Sequence, residues 1–137
     1  MKLFLDANVI IYWVEGAEPF YTKFISVMQS LYVKYPHASF AVSRLSFLEC
    51  RVKPLKENNQ DILLLFDNFF NAHNLFIVEL DAHVINIATH LKSQHLLRTP
   101  DALQVACALS LLPNEEIFFI TGDIRIKNIS NLSICYI

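Results

Sequence analysis

Short, uninterrupted apolar runs alternate along this chain with longer stretches in which apolar residues recur every three or four positions. Leu3, Phe4 and Leu5 form the first run. Ser39–Ser43, with Phe40, Ala41 and Val42, is the second, and Leu75–Leu80 the third. Ile117–Ile120 and Leu132–Tyr136 complete the set. Runs this short, without polar alternation, predict strands buried on both faces of a sheet.

Between them lie helical patterns. Asn8 to Glu15 predicts a short helix ending near Gly16. Glu18 and Pro19 open a second, running to about Tyr35, with Phe20, Phe24, Val27, Met28, Leu31 and Tyr35 on one face. Ser43 caps a third, carrying Leu45, Phe47, Leu48, Glu49 and Val52. Pro54 is expected to break that helix and start the next, from Leu55 to about His73. Asp81 caps a helix over Val84, Ile85, Ala88 and Leu91. Thr99-Pro100-Asp101 reads as a helix start with a hydroxyl cap, proline at the first position and an acid in the first turn. Pro113 closes that last helix. Strands alternating with helices predict an α/β fold: a parallel sheet between helical layers, joined by right-handed crossovers.

With 137 residues, two glycines and five prolines, the chain is expected to form a single domain, 1–137, without linkers. Hydrophobic residues at 54% against 18% charged fit a domain that buries some surface between subunits. No apolar run approaches the roughly 18 residues of a membrane span, and Lys2 leads straight into a strand rather than a signal peptide. Cys50, Cys107 and Cys135 are far apart in apolar surroundings, which predicts buried thiols and a cytoplasmic protein. A net charge of −2 excludes nucleic-acid binding by bulk attraction but leaves local patches open.

Four acids change this picture. Asp6 ends the first strand, where open α/β sheets bind ligands. Asp123 closely follows the fourth strand. Glu49 lies about two turns into the helix after strand two, and Asp101 opens an otherwise apolar helix. Each has an ordinary reading: Asp101 as a helix-dipole partner, Glu49 as a capping-box partner of Ser46, Asp123 as a turn residue. Asp6 is harder to explain, because a carboxylate ending an apolar strand is costly unless paired or metal-bound. If the four converge, two unit charges ~4 Å apart at an effective dielectric near 20 cost about 4 kcal/mol. Hard oxygen ligands then favour Mg²⁺ or Mn²⁺ over zinc, and no histidine or cysteine falls at zinc spacing. Such ions activate water and stabilise a leaving oxygen in phosphodiester hydrolysis. Arg44, Arg51, Lys53, Arg98, Arg125 and Lys127 lie near these acids in sequence, where they could contact a nucleic-acid backbone or serve as ordinary solubilising charge.

Leu-Asp-Ala-Asn-Val-Ile at the N-terminus, Glu49, Thr-Pro-Asp-Ala-Leu-Gln-Val-Ala-Cys-Ala around Asp101 and Ile-Thr-Gly-Asp around Asp123 together resemble a PIN domain. The likeness runs through essentially the whole chain and is nearest to the VapC-type toxins of prokaryotic toxin–antitoxin pairs. It implies a five-stranded parallel sheet in the order 3-2-1-4-5 and a metal-dependent ribonuclease. Asp6, Glu49, Asp101 and Asp123 match the family's acidic quartet, and Asn8 and Thr121 match polar positions that support it. It further implies RNA as substrate, a homodimer and inhibition by a small antitoxin protein.

Two other enzymes begin with a strand ending in aspartate. A haloacid-dehalogenase phosphatase would want a second aspartate where this chain has Asn8, and a receiver domain would want adjacent acids there. The remaining alternative is a PIN-fold module that binds RNA or protein without cleaving it.

Overall fold

The computed structural model describes residues 1–137. Its elements are β1 (Lys2–Leu5), α1 (Ala7–Glu15), α2 (Phe20–Lys34), β2 (Ser39–Ser43), α3 (Arg44–Lys56), α4 (Gln60–Phe70), β3 (Leu75–Val78), α5 (Ala82–Gln94), α6 (Thr99–Leu109), β4 (Ile117–Thr121) and β5 (Ser133–Tyr136). All five strands are parallel, in the order β3-β2-β1-β4-β5. The expected α/β/α sandwich and strand order are therefore observed. β1 is central, with Phe4 in register with Ala41 on one side and Phe119 on the other.

Because side chains alternate across a strand, β1 feeds two cores. Phe4 points into one, with Phe119, Val84, Leu91, Val105 and Ala106. Leu3 and Leu5 point into the other, with Val9, Ile10, Phe24, Met28 and Phe66. All three residues are fully buried, which explains why β1 reads as a continuous apolar run. Asp6 is the first residue past that run, and its amide donates to the Ile120 carbonyl of β4 over 2.9 Å, holding it at the strand's carboxyl end. No helix is long and apolar enough to cross a membrane.

Several predicted boundaries move. Pro54 does not break α3 but lies inside it. Only two residues of helix follow the proline, so little of the ladder is disturbed, and its carbonyl accepts from the Asn59 amide over 2.8 Å. The fourth helix consequently starts at Gln60, capped by the Asn59 side chain, rather than at Leu55. α6 is capped by Arg98, which offers no side-chain cap bond, so Thr99 is its first residue and Pro100 its second. Ser43 caps α3 as expected, its hydroxyl accepting from the Leu45 amide over 3.0 Å. Ser46 therefore lies within the helix and cannot form a capping box with Glu49. Cys50 and Cys107 are buried free thiols, whereas Cys135 is only partly buried.

Candidate active site

The carboxyl end of β1 and the loop after β4 are tied together by a set of polar bonds. Asp6 is 4% exposed. Its Oδ1 accepts from the Ala7 amide over 2.8 Å, and its Oδ2 accepts from Thr121 Oγ1 over 2.7 Å and Asn8 Nδ2 over 3.2 Å. Asn8 turns its other end outward, where Oδ1 accepts from the Gly122 amide over 2.9 Å. Thr121 Oγ1 in turn accepts from the Asp123 amide over 3.0 Å. Asn8 and Thr121 thus stand beside Asp6, where the sequence put them. Gly122 is required by space: a Cβ there would lie 2.8 Å from the Tyr12 hydroxyl and 2.9 Å from its ring. Tyr12 packs close to both acids, whose charges add to burial in raising its pKa.

α3 and α6 carry a second polar set. Gln104 is 1% exposed, and its Nε2 donates to Ser46 Oγ over 2.8 Å and to Glu49 Oε1 over 2.9 Å. Cys107 Sγ donates to Ser43 Oγ over 3.4 Å in the same seam. Burial raises the Cys107 thiol to about 11 and Cys50 beyond it, so neither is a nucleophile near neutral pH.

The two sets meet electrostatically at Asp6. Burial pushes its pKa from the ordinary 3.8 to about 6, opposed by the bonds from Thr121 and Ala7 and reinforced by the charges of Asp101 and Glu49. No cation touches Asp6. Asp101 and Asp123 differ from it, since each is held by an arginine. Arg98 Nε lies 3.0 Å from Asp101 Oδ2. Arg125 grips both oxygens of Asp123, with Nη2 2.7 Å from Oδ2 and Nε 2.9 Å from Oδ1. The Arg125 bond holds Asp123 below the usual carboxylate range. With Glu49 turned to Gln104 and two aspartates turned to arginines, no three acidic, histidine or cysteine side chains close on a single point.

The basic residues singled out by sequence divide accordingly. Arg44 pairs with Glu79 at 2.6 Å, and Arg51 lies 3.0 Å from Asp67 and over the Phe47 ring. Arg98 and Arg125 face the acids themselves, and Lys53 and Lys127 are exposed without an ion pair. Four of the six therefore already have carboxylate partners, but only Arg98 and Arg125 pair with the four acids themselves. The sequence reading missed Gln104, its bond to Ser46, Tyr12 and the arginine–aspartate pairs. A lone amide within Ala-Leu-Gln-Val-Ala-Cys-Ala was the available signal for Gln104. A cavity of about 260 Å³ beside α5, lined by Asn86, His90, His95 and Ile129, contains none of the four acids.

In chemistry, though not in a closed cluster, the acids suit a hard divalent cation: all are carboxylates, and Asp6 is buried with no cation in contact. Asp6 and Glu49 each retain a lone-pair position that no cation fills, and Asp101 Oδ1 makes no protein hydrogen bond.

The chain belongs to the PIN domain family, whose profile matches residues 3–132. Among solved structures it is similar in fold to VapBC complexes. VapBC from Salmonella typhimurium, solved bound to DNA, superposes with a TM-score of 0.73 at 14% identity, covering 99% of this chain and 98% of that one. VapBC2 from Rickettsia felis, bound to a fragment of its promoter, gives 0.70 at 20% identity, with the same coverage of 99% and 98%. A toxin–antitoxin complex from Klebsiella pneumoniae gives 0.68 at 15%, covering 95% and 94%. No curated protein sequence matches the chain significantly.

Proposed function

We propose that this PIN domain is a ribonuclease of the VapC toxin type, dependent on Mg²⁺ or Mn²⁺ and acting in the cytoplasm. The observation that carries the reading is Asp6: buried, without a cation in contact, and raised to about 6 by that burial, to which the charges of Asp101 and Glu49 add. A buried carboxylate with a perturbed pKa at a strand's carboxyl end is the pattern of a functional site, even though Asp6 also caps α1. Family membership supports the same reading, as does likeness in fold to toxin–antitoxin complexes.

In this reading Asp6, Glu49, Asp101 and Asp123 would hold the ions, which would supply activation of water at neutral pH and stabilisation of the departing oxygen. The protein's own part is placement. Thr121 and Asn8 fix the Asp6 carboxylate, and the Asn8 bond to Gly122 sets the loop that carries Asp123. Arg98 and Arg125, two-thirds exposed, are long enough to reach from their aspartates to a bound phosphate. Lys53, Lys127, Arg44 and Arg51 supply positive charge farther along the chain. RNA is the substrate, and single-stranded RNA is the form most readily threaded along such a surface.

Two partners belong to the proposal. Leu48, Val52 and Leu55 on α3 and Leu64 and Leu65 on α4 are 47% to 60% exposed. An apolar face of that kind suits a homodimer or an antitoxin protein better than water.

The test is cleavage of a labelled RNA with and without Mn²⁺, by the wild type and by Asp6→Asn. Metal-dependent cutting is expected from the first and none from the second, with both folded. Cutting by Asp6→Asn at the wild-type rate would overturn the mechanism. RNA association without cleavage at any Mn²⁺ concentration would make the chain a binding module instead.

A further inference from the structure

We infer that Gln104 is a positioning residue for Glu49, fixing the orientation of that carboxylate from the opposite helix; this rests on the metal-binding reading above. Gln104 sits in the middle of α6 among Ala102, Val105 and Ala106, each fully buried. A side chain there for packing alone would be apolar. Instead both hydrogens of its amide are directed across to α3, to Ser46 Oγ at 2.8 Å and Glu49 Oε1 at 2.9 Å. Ser46 and Glu49 are three residues apart and so share a helix face.

The rest of the amide shows what this arrangement costs. Gln104 Oε1 is buried and has no hydrogen-bond partner. Such an orphaned acceptor is destabilising, a cost that a methionine of similar size would avoid. Turning the amide over would not help, since its carbonyl oxygen would then face the Glu49 carboxylate. The charge on Glu49 therefore fixes which way the amide points, and the Ser46 hydroxyl holds its plane. With Oε1 of Glu49 engaged, Oε2 is left without a protein hydrogen bond and open to a cation. A buried polar bond retained beside an unsatisfied oxygen is the pattern of an outer residue that orients a ligand, the loss of which typically costs 10–100-fold in metal affinity.

The experiment is a double-mutant cycle on the full chain, read by calorimetric Mn²⁺ titration and by the melting temperature of the metal-free protein. Gln104→Met is expected to weaken Mn²⁺ binding at least about tenfold while the melting temperature holds or rises. In a Glu49→Gln background the same change is expected to do nothing further. Ser46→Ala should act in the same direction, less strongly, and is also expected to be silent behind Glu49→Gln. Wild-type affinity in Gln104→Met, or an equal loss with and without Glu49, would overturn the inference and leave the metal-binding reading standing. So would a collapse of the melting temperature with affinity unchanged, which would make Gln104 a structural residue. A wild type that binds no Mn²⁺ would overturn both.

Discussion

The Thr121 hydroxyl donates to Asp6 Oδ2 over 2.7 Å while accepting from the Asp123 amide over 3.0 Å, so one side chain serves two of the four acids. It is fully buried and therefore irreplaceable by water. Thr121→Val keeps the shape and removes both bonds. The Asp6 pKa should rise further, since the Thr121 bond is the largest influence holding it down. Stability should fall by about 1–3 kcal/mol. Carboxyl-carbon NMR titration and urea unfolding measure the two effects.

Asp6 itself makes the metal-free protein sensitive to pH. Its folded pKa of about 6 exceeds its ordinary 3.8, so the folded state binds that proton more tightly than the unfolded chain. The favourable contribution is present below about pH 4 and disappears as the pH rises to about 6. Two units correspond to on the order of 3 kcal/mol. Asp6→Asn should therefore melt higher than the wild type at pH 7.5 without metal, and its stability should lose this slope. A variant that melts lower at pH 7.5 would show that the buried charge is not the cost supposed here.

Arg125 competes for Asp123. Its guanidinium and its own amide both bond the carboxylate, and together they hold its pKa down. Arg125→Gln should bring Asp123 back toward the usual carboxylate range and tighten Mn²⁺ binding measured by calorimetry. RNA association should weaken at the same time, with a shallower salt dependence. Both changes in the same direction would mean that Arg125 serves only one of the two ligands.

Gly122 and Tyr12 form a steric pair. A Cβ at Gly122 meets the Tyr12 ring, which cannot easily withdraw because it stacks on Phe20 with centroids 4.5 Å apart. Gly122→Ala should cost about 1–3 kcal/mol. Tyr12→Leu should recover part of that loss in the double variant, as thermal unfolding of the set would show.

What could be read in advance followed from physics that a linear sequence carries. β1 was legible because a strand buried on both faces must be apolar throughout, and Asp6 stood out against it. The expectation that Glu49, Asp101 and Asp123 would be delivered toward Asp6 rested on a parallel topology that brings successive strand ends to one edge. Pro54 misled because its effect depends on how few residues of helix remain after it, which only the next cap, Asn59, decides. Gln104 was hidden because its partners lie 55 and 58 residues away on α3. The arginine pairs were misjudged for a related reason. Proximity in sequence to an acid says where a cation is anchored, but not whether it faces outward to a ligand or inward to the acid.

The hydrogen-bonded set on β1 and the β4 loop and the one joining α3 to α6 share no side-chain hydrogen bond. Between α3 and the first set runs only the weak bond from Cys50 Sγ to the Ala7 carbonyl at 3.8 Å, beside packing and charge. A cation spanning both would act as a rivet between sheet and helices, and amide exchange in α6 and in the loop around Gly122 should slow together when it binds.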